Sequence, residues 1–268
     1  MGAPVLSLDS VSVSFGGVKA VRNVTFHLEP GELVGLIGPN GAGKTTIFNL
    51  ITGSVKPTDG VISFKGTDIV GKTSDQLCHL GISRTFQNIR LFPQMSVFEN
   101  VALGLHSEPH YSIFEAFVRT PNARRKEKEV EEQVHELLTL VGLEGYIQQK
   151  AGILPYGLQR RLELARAMAT SPELLLLDEP AAGMNEDECA ELIKMIRNIH
   201  ELKKYSIILI EHHMNVVMDL CRNSRIMVLN LGETLAIGSP AEIQNNPKVI
   251  AAYLGEKRER NGRKRSIS

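Results

Sequence analysis

The feature that most constrains this chain is a short glycine-rich run, Gly38-Pro39-Asn40-Gly41-Ala42-Gly43-Lys44-Thr45-Thr46. An apolar stretch, Leu33-Val34-Gly35-Leu36-Ile37, precedes it, and Ile47-Phe48-Asn49-Leu50-Ile51 follows. Strand, glycine loop, helix is the order of a phosphate-binding loop. Glycines at 38, 41 and 43 let the backbone curl so that its N–H groups point inward at an anion. A helix opening at Lys44 turns its positive end toward the same anion. Lys44 is spaced to reach terminal phosphates, and the Thr45 hydroxyl to hold Mg²⁺. The bland alternative, a glycine turn before an ordinary helix, explains neither the lysine nor the threonine.

Composition narrows the setting. Hydrophobic residues make up 43% and charged residues 22% of 268, values of a globular chain able to bury a core. Thirty basic and thirty acidic side chains balance, so no global field favours a nucleic-acid partner. The exception is the basic stretch Lys257–Arg265, read as a solvated, disordered tail. Cys78, Cys189 and Cys221 fall in no metal-ligand spacing and read as packing residues of a reducing compartment. No apolar run has the length of a membrane span, and the N-terminus lacks the pattern of a secretory signal. A membrane role would therefore come through a partner.

Along the chain, Val5 to Ser14 and Val21 to Leu28 alternate apolar and polar residues, as half-buried antiparallel strands do. Phe15 ends the first of them, either as a core residue or as an aromatic face for a nucleotide base. Thr73 to Leu80 reads as a short capped helix, and Ile82 to Phe86 as a strand with Gln87 at its end. From Asn88 to Lys150 the spacing becomes helical, with Val130, Val134, Leu137, Leu138 and Val141 on one face and Gly142 as the stop. This reads as a helical insertion in an α/β domain. Leu174 to Leu177 is a continuous apolar strand ending in Asp178 and Glu179, and Ser206 to Ile210 is another ending in Glu211, His212 and His213. Asp178 and Glu179 sit at the strand end, where an open α/β sheet takes its ligands. They either face a helix N-terminus or bind Mg²⁺ and activate water. Arg225 to Gly238 reads as a hairpin, and Ser239 and Asn246 as helix caps, each followed by proline.

Taken together, these motifs resemble the ATP-binding subunit of an ABC transporter, from about Val5 to Gly255. Gly38 to Thr46 looks like Walker A, Gln87 the Q-loop, Leu154 to Leu158 the signature, Leu174 to Glu179 Walker B, Ala181 to Asn185 the D-loop and His212 the switch histidine. Arg84 to Phe92, Tyr156-Gly157, Arg160 to Glu163, Asp178 to Asn185 and the close from Asn246 to Gly255 look like the branched-chain amino acid importer branch. The insertion between Leu105 and Lys126 points to one of the two ATPase types within it.

The resemblance implies a P-loop NTPase fold of α/β class with a mostly parallel core sheet, an antiparallel β subdomain and a helical subdomain over about residues 88–160. It implies one domain over residues 1–255, with 256–268 as the basic tail. ATP would be held by Phe15 on the base and by Gly38, Pro39, Asn40, Gly41, Ala42, Gly43, Lys44, Thr45, Thr46 and Gln87. Thr45, Gln87 and, through water, Asp178 would hold Mg²⁺. Glu179 would polarise the attacking water, with Lys44, Gln87 and His212 as the other catalytic groups. Pro155, Tyr156, Gly157 and Leu158 would act on the ATP of a second ATPase subunit, in a homo- or heterodimer. Integral membrane permeases, and indirectly a periplasmic binding protein, would be partners, on the cytoplasmic face of the inner membrane, with no specific nucleic acid.

The chain also departs from the family pattern. Pro155 stands where a signature serine is usual and lacks the hydroxyl that would reach a γ-phosphate, so the site facing it is expected to be the weaker of the two in a heterodimer. Asn185 replaces the D-loop aspartate, and His213-Met214 follow the switch histidine, where an acid is common. Competing readings are an importer for another amino acid, an amide or urea, an exporter subunit, a soluble ABC ATPase of DNA repair or translation, and a P-loop kinase or GTPase. No guanine-reading Asn-Lys-x-Asp, long coiled coil or second cassette supports the last two.

Overall fold

The computed structural model describes residues 3–105 and 121–254. Most of the insertion between Leu105 and Lys126, and the basic tail, lie outside the described residues. Two sheets organise the molecule. The first is antiparallel, in the order β2 (Val18–Leu28), β1 (Leu6–Phe15), β4 (Asp59–Phe64), β5 (Thr67–Asp68). The second has six strands: β10 (Glu233–Gly238), β9 (Arg225–Asn230), β3 (Leu33–Ile37), β8 (Ser206–Ile210), β7 (Leu174–Asp178) and β6 (Ile82–Arg84). All its neighbours pair in parallel except the hairpin β9–β10. The strand expected over Ile82 to Phe86 ends at Arg84, though Thr85 still donates its N–H to the Leu176 carbonyl at 2.9 Å.

The apolar strands β3, β7 and β8 are buried at every position because both faces of this sheet are covered. Side chains alternate in direction along a strand, so each run feeds two cores. Leu175, Leu177, Ile207 and Leu209 join the core beneath the helices α3 (Val97–Leu105), α4 (Pro121–Leu140), α5 (Tyr156–Ala169), α6 (Glu186–Lys203) and α7 (Met214–Leu220). Leu174, Leu176, Ile208 and Ile210 face the antiparallel sheet, helix α1 (Lys44–Ile51) and Leu77 of α2 (Ser74–His79).

Strand β1 shows how a pattern break is absorbed. Its buried residues shift from even positions, Leu6 and Leu8, to odd ones, Val11 and Val13. A regular strand would turn one of these pairs to solvent. The pairing register with β2 slips by one residue between Leu8 and Val11, and Ser10 takes a positive φ of 54° there. That bulge keeps all four side chains on the core face.

Candidate functional site

Four parallel strands, β3, β8, β7 and β6, lie side by side and end together. The register sets Leu36 beside Ile210 and Ile210 beside Asp178. The chain just past each end therefore lines one crevice, where ligands of such sheets bind. The glycine loop follows β3, His212 follows β8, Glu179 follows β7 and Gln87 follows β6.

The glycine loop is shaped by close backbone approach. A Cβ at Gly38 would lie 2.1 Å from the Leu229 carbonyl oxygen, and one at Gly43 would lie 2.7 Å from that of Ala20. Both residues have positive φ, 152° and 105°, so no other side chain fits there. The N–H of Gly232 donates to the Ala42 carbonyl at 3.0 Å, pinning the loop to the β9–β10 turn. Lys44 begins α1 and is buried, and its Nζ donates to the carbonyls of Gly38 at 2.7 Å and Pro39 at 3.0 Å. The ammonium thus lies inside the curl of the loop. Asn40, Gly41 and Thr45 are exposed and Thr46 is half-buried at the mouth, while Ala42 and Pro39 pack inward.

Glu179 is the meeting point of the other groups. His212 Nε2 lies 2.6 Å from its Oε1, and Gln87 donates its Nε2 hydrogen to its Oε2 at 2.9 Å. Glu179 itself has a φ of 49°, a left-handed conformation in a residue with a side chain. Such backbone costs about 1–3 kcal/mol and recurs where a side chain must be aimed. Its N–H is held by the Ile210 carbonyl at 2.9 Å.

Asp178 is buried and paired with Arg84, whose Nη2 donates to Oδ2 at 2.6 Å. The other arm of Arg84 donates to Asn49 Oδ1 on α1 at 2.7 Å, and the guanidinium lies against the rings of Phe48 and Phe86. Arg84 engages one of the two carboxylate oxygens. Asp178, Thr45 and Gln87 each carry a hard oxygen donor, the chemistry that Mg²⁺ prefers. No cluster of three or more His, Cys, Asp or Glu suited to a metal occurs among the described residues, and a cation bound largely by phosphate and water needs none.

Phe15 ends β1 and is 49% exposed. It pairs with Val18 across the Gly16-Gly17 turn, and Ala20, two residues further, touches the loop at Gly43. The signature residues stand apart from the loop. Pro155 is the cap residue before α5, with no side-chain hydrogen bond to give, and Tyr156 is its first helical residue. The Tyr156 ring would contact a Cβ at Gly183, in the loop after β7, and a Cβ at Gly157 would meet the Glu188 carboxylate in the first turn of α6. Asn185 caps α6 through a reciprocal pair with Glu188, at 3.0 Å in each direction, a task that asparagine performs as well as aspartate.

Two functional neighbours were not singled out from sequence. Arg84 is one. Glu211 is the other: it is buried, accepts the Ala181 N–H at 2.7 Å on Oε1 and the His212 N–H at 3.0 Å on Oε2, and so ties the loop after β7 to the histidine. Its signal was available, since it follows an apolar strand as Asp178 does.

A phosphate cradle, a buried carboxylate and a strained glutamate joined to glutamine and histidine define a nucleotide-hydrolysing site. The family model for the ABC transporter matches residues 21–182. The chain belongs to this family, as an ATP-binding cassette and an ATPase with the P-loop ABC ATPase fold. A second model, of the branched-chain amino acid ATP-binding cassette transporter, matches residues 233–259. The high-affinity branched-chain amino acid transport ATP-binding protein LivG of Escherichia coli (strain K12) is 45% identical over 256 residues, covering 96% of this chain and all of that protein. BraF of Pseudomonas aeruginosa, with the same description, is 42% identical over the same span. Among solved structures, an ATP-binding cassette of an ABC transporter in its ADP conformation gives a TM-score of 0.81 at 29% identity, covering 94% of this chain and 99% of that one. A nucleotide-free ATP-binding cassette gives 0.78 at 30% identity, with the same coverage. Among the described residues, no helix is long and apolar enough to cross a membrane.

Proposed function

We propose that this chain is the ATPase subunit of an importer for branched-chain amino acids, working at the cytoplasmic face of the membrane against integral permeases and a second ATPase subunit. Its relatives named for branched-chain amino acid transport match 96% of the chain, which supports the substrate class. The observation that carries the mechanism is the convergence of Gln87 and His212 on a Glu179 held in left-handed backbone.

In this reading Phe15 stacks on the base, and the amides from Gly38 to Thr46 with Lys44 bind the phosphates of ATP. Lys44 leaves the Gly38 and Pro39 carbonyls for phosphate oxygens. Thr45, Gln87 and, through water, Asp178 would hold Mg²⁺, which when bound would supply charge neutralisation at the phosphates. Glu179 orients and polarises the attacking water, and His212 fixes that carboxylate and contacts the γ-phosphate. Phosphoryl transfer asks mainly for positioning and charge stabilisation, and this set supplies both. Pro155 to Leu158 cover the partner's nucleotide, with Gly157 and the start of α5 as the anion contacts. The helices of residues 88–160 transmit closure to the permeases.

Glu179→Gln tests the assignment. The variant should bind ATP as before and lose about 10²- to 10⁴-fold in turnover. Turnover equal to that of the unaltered chain would overturn the role of Glu179. Uptake of leucine, isoleucine and valine by the reconstituted importer, against amides and urea, tests the substrate class separately.

A further inference from the structure

The loop from Thr85 to Arg90 has no regular secondary structure, yet it carries Gln87. Backbone groups in such a loop need partners from elsewhere. Here one ion pair on α5 supplies them. Arg160 donates through Nη1 to the Phe86 carbonyl at 2.5 Å and through Nη2 to the Gln87 carbonyl. Glu163 accepts the N–H groups of Phe86 at 3.4 Å and Arg90 at 3.3 Å on Oε1. The two side chains bond each other at 2.9 Å and are 3% exposed apiece. Carbonyls are gripped by the cation and amides by the anion, so the peptide planes on either side of Gln87 are fixed in direction. The Gln87 side chain is otherwise exposed, and its place on Glu179 depends on that backbone. The same guanidinium also donates to the Tyr156 hydroxyl at 3.2 Å, at the signature turn.

Stability alone is a poor reason for this pair. A buried ion pair is commonly replaced by apolar groups without loss. Arg160 even leaves its buried Nε without a partner. What an apolar pair cannot do is hold two carbonyls and two amides in fixed directions.

We propose that Arg160 and Glu163 are positioning residues for hydrolysis: they set the Gln87 backbone so that its amide meets Glu179, and they bind that amide and the signature turn into one body. This rests on the roles given above to Gln87 and Glu179. A change in the state of Gln87 is then carried to Tyr156 and Gly157, and so to the face offered to a partner's nucleotide.

The test is a double-mutant cycle on the full chain with Arg160→Lys and Gln87→Ala, reading turnover and ATP affinity. Lysine keeps the charge but loses the two-armed fork. Arg160→Lys alone should lower turnover by about 10²-fold, the scale of a misplaced group, with ATP affinity held within about twofold. In the Gln87→Ala background the same substitution should change turnover by less than about twofold. An equal loss in both backgrounds, a parallel loss of ATP affinity, or unaltered turnover in Arg160→Lys overturns the proposal. Unaltered turnover in Gln87→Ala alone overturns the role of Gln87 instead. Should Arg160→Lys fail to fold, Arg160→Met with Glu163→Leu carries the same comparison, because apolar replacement of both partners keeps buried pairs stable.

Discussion

The two ends of the parallel sheet each carry an arginine–carboxylate pair, and the pairs are built differently. At the N-terminal ends of β3 and β9, Arg225 meets Glu32 with both arms, Nε to Oε1 at 2.6 Å and Nη2 to Oε2 at 2.8 Å. Nη2 also reaches the His27 carbonyl at 3.1 Å. At the C-terminal ends of β6 and β7, Arg84 meets Asp178 with one arm, and its Nε is buried without a partner. The site pair is also the deeper one, at 8% and 5% side-chain exposure against 33% and 17%. If stability were the purpose, the deeper pair would be the more fully bonded. The far pair is a brace between two strand ends. The site pair holds a buried carboxylate by one of its two oxygens, at the place where the proposed cation would be received.

The largest difference between the ends should appear on removing the cation. Arg84→Met leaves the Asp178 carboxylate buried with no counter-charge and should cost about 3–5 kcal/mol in urea unfolding. Asp178→Asn added to it should recover most of the loss, because the stranded charge has gone. Arg225→Met at the other end leaves Glu32 beside solvent and should cost a small fraction of that. Equal losses at the two ends would break the comparison.

Much of the fold was legible because it is written locally. The glycine loop, the all-apolar strands and the proline-marked caps are each set by residues within one turn or strand of each other. The acids and histidine at the strand ends were legible for the same reason. Pairings between distant segments were not. Arg84 and Asp178 are 94 residues apart, and Ala181 and Glu211 are 30 apart. Nothing local separates buried Arg160 from its neighbour Arg161, which pairs with Glu191 at the surface. A charge run reads as a solvated face unless the loop it must serve is known. The left-handed backbone of Glu179 is likewise invisible, since glutamate carries no preference for it.

That backbone gives an intermediate prediction, and again the far end supplies the control. Lys204 also has a positive φ, 56°, against 49° for Glu179, and it ends α6 just before β8. A non-glycine residue in this region is strained by about 1–2 kcal/mol. Glu179→Gly should therefore unfold at higher urea than Glu179→Ala by about 1 kcal/mol, the two sharing the loss of the His212 and Gln87 contacts. Lys204→Gly should gain a similar amount over the unaltered chain. Turnover should collapse in both Glu179 variants and stay unchanged in Lys204→Gly. If alanine matched glycine at 179, the strain there would be no part of how the carboxylate is aimed.

The smallest effect belongs to the brace. Burial pushes the Glu32 carboxyl up, but the Arg225 hydrogen bonds and charge and the Glu29 N–H outweigh it and leave the group below the ordinary glutamate range. A carboxyl depressed in the folded state adds stability that is full above its unfolded value and is lost as pH falls through the folded one. Arg225→Gln should thus cost about 0.5 kcal/mol at neutral pH, small because of the partial exposure of the pair and screening by salt. The gap between the unaltered chain and the variant should narrow as pH drops below about 4, where glutamates protonate. Turnover at neutral pH should not move, because neither residue reaches the crevice. A gap that widened on acidification would mean that Glu32 is not the charged partner, and the far pair would then need to be read, like the site pair, as something other than a brace.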